Sequence, residues 1–190
     1  IDLRQNTGGY MNAAIEMTNE FLEKGELIVY TEGRAFPRED AYANGSGTSK
    51  KDQLIVLMDE GSASASEIFA GAIQDNDRGL IVGRRSFGKG LVQNQQKFKD
   101  GSALRLTIAR YYTPSGRSIQ KPYELGKSDD YNKDLMNRFV RGELDSQDSI
   151  KLDGEHVFHT LGGRPVYGSG GIMPDIFVPR DTTGINSYYI

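Results

Sequence analysis

Two residues in this chain carry the means for acyl-transfer chemistry. Ser64 stands in the run Gly61-Ser62-Ala63-Ser64-Ala65-Ser66, and Lys89 in Phe87-Gly88-Lys89-Gly90. A serine hydroxyl becomes a useful nucleophile only when a base takes its proton. A lysine can be that base when burial lowers its pKa enough to leave the amine neutral. Lys89 lies between two glycines with apolar Phe87 and Leu91 beyond them, a setting that favours desolvation. Other bases are few: the chain has no cysteine and two histidines, His156 and His159, both far downstream. Each residue also has an ordinary reading. Ser64 and Glu67 form S-x-x-E, the capping box that opens many helices, and a lysine between glycines is often a plain surface residue.

The surrounding elements would bring the two together. Leu54-Ile55-Val56-Leu57-Met58 is a continuous apolar run, read as a strand covered on both faces. After the small-residue turn, Ala65, Ile68, Phe69, Ala72 and Ile73 recur at helical spacing, and Leu80-Ile81-Val82-Gly83 is the next strand. Strand, serine, helix, strand, glycine-flanked lysine: this order sets a hydroxyl beside an amine at one edge of a sheet. A serine at a helix N-terminus also lies among unpaired N–H groups and the positive end of the dipole, which stabilise an oxyanion.

The flanking stretches follow the same logic. Ile1-Asp2-Leu3 reads as a strand end and Gln5-Asn6-Thr7-Gly8-Gly9 as a turn. Residues 10–23 read as a helix with Ala14, Met17, Phe21 and Leu22 inward, stopped by Lys24-Gly25. The Gly8-Gly9 turn is either a tight bend that needs positive φ or an anion cradle of bare amides. Residues 27–31 form a second strand, and 32–52 a polar, mobile excursion. Residues 90–98 and 102–112 form a hairpin across Lys99-Asp100-Gly101. Gln93 on its first strand is either a sheet-surface residue or an acceptor that aims the lysine amine.

Ser62 to Ile68, Phe87-Gly88-Lys89-Gly90 and Val92-Gln93 together resemble the C-terminal processing (tail-specific) proteases. These are Ser–Lys peptidases with a crotonase-like, Clp-protease-like core. The resemblance extends to Asp2 through Gly9, to Tyr112-Thr113-Pro114-Ser115-Gly116-Arg117 and to Gly170-Gly171-Ile172-Met173-Pro174-Asp175. It covers roughly the first 122 residues and a patch near the end. It implies Ser64 as nucleophile, Lys89 as base and Gln93 as the residue that orients the base. Ala65 and one glycine of the Gly8-Gly9 pair, with Gly9 preferred, would supply the oxyanion N–H groups. No cofactor and no metal are implied, and His156-Val157-Phe158-His159 is a weak metal pair without a third ligand.

The chain has 190 residues, 37% hydrophobic and 26% charged, enough for one globular unit with a core. A net charge of −3 points away from nucleic acid. No apolar run is long enough to span a membrane. The expected organisation is an α/β layered core with β-α repeats. It comprises a peptidase core over 1–122 lacking its first strands, an insertion or peripheral lobe over 123–160 with a helix at 132–141, and a return to the core over 161–190. The Gly-Ile-Met-Pro-Asp turn should hold the core and line the cleft before a last strand at 176–178. The resemblance also implies a PDZ-like domain upstream, expected to lie outside residues 1–190. A strand missing beside residues 1–3 or 27–31 would leave an edge open to a second copy of the chain. The resemblance implies proteins or peptides with exposed C-termini as partners, and a bacterial cell envelope or periplasmic location. A non-catalytic peptide-binding module on the same core is the alternative; an acyl-CoA enzyme of crotonase type is disfavoured.

Overall fold

The computed structural model describes residues 1–123, 128–150, 157–168 and 170–181. Its centre is a helix, α2 (Ala65–Asp75), every residue of which is buried. The apolar face read from the sequence is there: Ile68, Phe69, Ala72 and Ile73 pack in the core. Glu67, Gln74 and Asp75 are buried too, so each must find partners for its polar atoms. The other helix of the first half, α1 (Met11–Asn19), packs against α2, with Phe21 just beyond it meeting Phe69 edge-on at 5.8 Å.

Two sheets flank this helical centre. In the smaller, β3 (Ile55–Met58), β4 (Leu80–Gly83) and β9 (Ile176–Phe177) run parallel in the order β3-β4-β9. Residues 1–3 extend it, with the Leu3 N–H donating to the Leu57 carbonyl at 2.9 Å and the Leu57 N–H to the Ile1 carbonyl at 2.9 Å. The expectation that β3 is covered on both faces needs correcting. Val56 and Met58 are fully buried, but Ile55 is 52% exposed. Ile55, Leu80 and Ile176 share the face turned away from the core, which is open among the described residues.

The larger sheet is antiparallel, in the order β2-β1-β6-β5, from β1 (Leu27–Gly33), β2 (Phe36–Tyr42), β5 (Leu91–Lys97) and β6 (Ala103–Tyr112). The hairpin expected at 90–112 is present. The polar stretch after β1 is not a structureless excursion: β2 pairs with β1 over Leu27↔Tyr42 to Gly33↔Phe36. It is a solvent-facing edge strand, so no alternating apolar pattern marks it. β1 is paired by β2 over Leu27 to Gly33 and by β6 at Tyr30–Glu32, so it is an interior strand and not the open edge expected at 27–31 over the residues β6 reaches.

The later chain folds onto this core. Helix α3 (Ser128–Val140) matches the one expected at 132–141. It sends Arg138 inward, whose guanidinium donates to the Ser86 and Arg85 carbonyls at 3.0 and 2.6 Å and to Glu143 Oε1 at 2.9 Å. A short hairpin, β7 (Val157–His159) with β8 (Pro165–Tyr167), was not foreseen. Among the described residues no helix is long and apolar enough to cross a membrane.

Candidate active site

The turn between β3 and α2 holds Ser62 and Ser64, the first turn of α2 holds Ser66, and their surroundings separate the three. Ser62 is fully buried; its hydroxyl donates to the Leu3 carbonyl at 2.7 Å and accepts from the Asp59 N–H at 3.0 Å. The Ser66 hydroxyl donates to the Asn6 carbonyl at 3.0 Å. Ser64 instead lines an open cleft of about 410 Å³. Its backbone is bent sharply, with φ 58° and ψ −116°. A non-glycine residue held there costs on the order of 1–3 kcal/mol, which the surrounding bonds must offset. Asp59 supplies several of them, accepting from the Gln5 N–H at 2.9 Å, Gln5 Nε2 at 2.6 Å and the Gly61 N–H at 3.0 Å. The 1–9 segment and the serine turn are thereby one hydrogen-bonded unit.

Gly9, Ala65, Lys89, Gln93 and Tyr111 line the same cleft as Ser64. Lys89 is half-buried and lines this cleft with Ser64, but among the described residues no hydrogen bond joins its amine to the Ser64 hydroxyl or to Gln93. Gln93 is beside it in the cleft, but its carboxamide nitrogen donates to Thr107 Oγ1 at 3.4 Å. That leaves the Gln93 carbonyl oxygen as the atom able to accept from an amine. The Gly170 to Asp175 turn does not reach this cleft. It lines a separate pocket with Arg164 and Tyr167, and Ile172 is packed in the core. His159 is exposed on β7, and His156 lies outside the described residues.

The two glycines have different tasks. Gly8 has φ +85°, and a Cβ there would meet the Ala63 carbonyl oxygen at 2.4 Å and the Ala65 nitrogen at 2.6 Å, so only glycine lets this segment press onto the serine turn. Its N–H is already given to Asn6 Oδ1 at 2.9 Å. Gly9 faces open space and lines the cleft. Across from it, Ala65 opens α2, and a first-turn N–H has no carbonyl partner within its own helix.

Two residues that the sequence reading left without a role at the site meet it here. The capping box expected from the sequence is present, with Glu67 accepting from the Ser64 N–H at 2.8 Å. Glu67 does more: fully buried, it also accepts from the Gly88 N–H at 2.7 Å, the Lys89 N–H at 2.9 Å and Ser86 Oγ at 2.5 Å. Burial pushes its carboxyl up from its ordinary value, while these four bonds favour the carboxylate. Tyr111, from β6, places its hydroxyl 3.0 Å from the Ser64 carbonyl oxygen and against the Lys89 carbonyl oxygen, and its one proton is shared between them. Nothing local in the sequence marks it: β6 shifts register between Thr107 and Ala109, and the partners of a buried strand-end hydroxyl are set by tertiary folding.

These features fit one class of protein. The chain belongs to peptidase family S41, whose sequence profile matches residues 1–132. It is 54% identical over 123 residues, 63% of this chain and 28% of the relative, to a carboxy-terminal-processing protease of Bartonella bacilliformis. It is 39% identical over 134 residues, 70% of this chain and 28% of the relative, to a chloroplastic C-terminal processing peptidase of Tetradesmus obliquus. Among solved structures it resembles the photosystem II D1 C-terminal processing protease, with a TM-score of 0.63 at 29% identity, over 94% of this chain and 33% of that one. The layered α/β core expected from the resemblance is therefore present. The chain spans about 28% of the length of the relatives named here.

Proposed function

We propose that the intact protein is a serine endopeptidase that cleaves proteins near their C-terminal tails, with Ser64 as nucleophile and Lys89 as base. One observation carries the reading: Ser64 and Lys89 share a cleft with Gly9 and Ala65, while the hydroxyls of Ser62 and Ser66 are spent on structural bonds. The relatives' own names as C-terminal processing enzymes support the substrate class. For the location, a bacterial cell envelope or periplasm is proposed from the family resemblance in the sequence motifs, although one named relative is chloroplastic.

The chemistry follows from the groups present. Ser64 Oγ attacks the peptide carbonyl carbon while the Lys89 amine takes the hydroxyl proton. The carbonyl oxygen becomes an oxyanion that accepts from the Gly9 and Ala65 N–H groups. Collapse breaks the C–N bond, and the Lys89 ammonium returns the proton to the leaving amine. Water, deprotonated in turn by Lys89, then attacks the acyl carbon; the bond to Ser64 Oγ breaks, and the Lys89 ammonium returns the proton to the serine oxygen as the new carboxyl group leaves. The Gln93 carbonyl oxygen orients the amine between these steps.

The test is cleavage of an unstructured, internally quenched peptide with a free C-terminus by the intact protein, with products mapped by mass spectrometry. Cuts near the carboxyl end that vanish in Ser64→Ala are expected. Undiminished cleavage by Ser64→Ala overturns the reading.

A further inference from the structure

We propose that Glu67 and Tyr111 are positioning residues that hold Ser64 and Lys89 in register by bridging their main chains. The proposal rests on the dyad reading above and adds which groups fix the pair.

The bridging is done by single atoms. Glu67 Oε2 accepts from the Ser64 N–H at 2.8 Å and from the Lys89 N–H at 2.9 Å. On the carbonyl side, the single Tyr111 hydroxyl proton is shared between the Ser64 and the Lys89 carbonyl oxygens, both of which lie within reach of it. The two peptide segments are thus spanned at both their donors and their acceptors. Glu67 Oε1 extends the grip to the Gly88 N–H and Ser86 Oγ, at 2.7 and 2.5 Å. Glu67 is fully buried and Tyr111 is 2% exposed. A carboxylate has about four lone-pair sites, and all four are matched by donors here.

The need for such a device follows from the topology. Ser64 and Lys89 are separated in the chain by α2 and β4. Lysine has a long, flexible stem, so the reach of its amine is set by where its backbone is held. A displacement of about 1 Å in a reacting geometry can cost about 100-fold in rate. Glu67 comes from the helix that Ser64 opens, and Tyr111 from the sheet that forms the cleft's other wall. Three elements are therefore tied at the two residues whose separation matters most.

A group that only supported the fold would lower stability and leave each folded molecule's chemistry intact. The experiment uses the intact protein and two readouts: kcat and KM on a quenched fluorogenic peptide, and the rate at which an alkyl fluorophosphonate labels Ser64. In Glu67→Gln an NH₂ group faces backbone donors, and kcat should fall about 100-fold with KM within about twofold. In Tyr111→Phe only one oxygen is lost, and kcat should fall about tenfold. Labelling should slow in step with kcat in both. Folded variants with wild-type kcat and labelling overturn the proposal. Tyr111→Phe keeps the buried ring, so it decides the matter even where Glu67→Gln does not fold. Ser64→Ala and Lys89→Met run alongside. If they still cleave, the dyad reading fails and this proposal with it. If they are dead while Tyr111→Phe turns over at full rate, the dyad stands and the positioning claim falls.

Discussion

The turn that carries Ser64 and the hairpin β5–β6 line the same cleft, yet they are built differently. Around the turn, Ser62, Glu67 and Asp59 are buried and hydrogen-bonded in several directions. Along the hairpin, Phe98, Leu104 and Leu106 are 51%, 50% and 58% exposed, and most of β5 faces solvent. One wall is fixed before any substrate arrives. The other has few buried contacts, the mark of a segment that opens at low cost. In the proposed reading, Ser64 and Lys89 are held where Glu67 and the buried Tyr111 tie the two walls together, and the exposed outer part of the hairpin is left to meet the extended peptide.

The largest effect should come from the base. Lys89→Arg keeps the charge but cannot deprotonate near neutral pH. Peptide cleavage by Lys89→Arg should be as low as by Lys89→Met, at least about a thousandfold below wild type. Substantial turnover by Lys89→Arg would make the lysine a charge partner and shift the base elsewhere. His159→Ala, on an exposed strand, should cleave at the wild-type rate.

Next comes the packing of the rigid wall. Gly8→Ala adds a Cβ within 2.4 Å of the Ala63 carbonyl oxygen at a positive φ. Relief of that contact must move the serine turn or the 1–9 segment. Cleavage should fall by about 100-fold, measured beside Gly9→Ala, which meets nothing within 4 Å and should be much milder.

A stability effect without a catalytic one should come from the far end of α2. There Asp75 Oδ1 and Gln74 Oε1 accept from Arg117 Nη2, each at 2.7 Å, and both Asp75 and Arg117 are fully buried as side chains. Arg117→Leu leaves a buried carboxylate uncompensated and should cost about 3–5 kcal/mol in denaturant unfolding. Its kcat per folded molecule should stay near wild type.

The smallest effects belong to the hairpin. Leu106→Ser should change stability by less than about 0.5 kcal/mol, as expected for an exposed site. Arg105→Ala, on the cleft-lining face, should change KM more than kcat. A kcat loss there as large as at Gly8 would erase the distinction between the two walls.

What the sequence made legible follows the same divide. The strands at 55–58 and 80–83 and the helix between them could be read because burial imposes apolar patterns on them. The strand β2 could not, since a solvent-facing edge buries no stripe. Ser64 and Lys89 stood out by chemistry and by the company of glycines and small residues. Glu67 was legible as half of a capping box, but its bonds to Gly88 and Lys89 depend on a loop brought back by tertiary folding. Tyr111 was hidden for that reason too: nothing in a strand-end tyrosine says whose carbonyls its hydroxyl will reach.

The central claim, that Ser64 is activated by Lys89, is tested most directly by mapping the site of fluorophosphonate modification. The intact protein is treated, digested and sequenced by mass spectrometry, alongside Ser64→Ala and Lys89→Met. The account predicts an adduct on Ser64, with no adduct on Ser62 or Ser66, and labelling slowed at least about a hundredfold in Lys89→Met. An adduct on another serine, or labelling of Ser64 at an undiminished rate without Lys89, would contradict it.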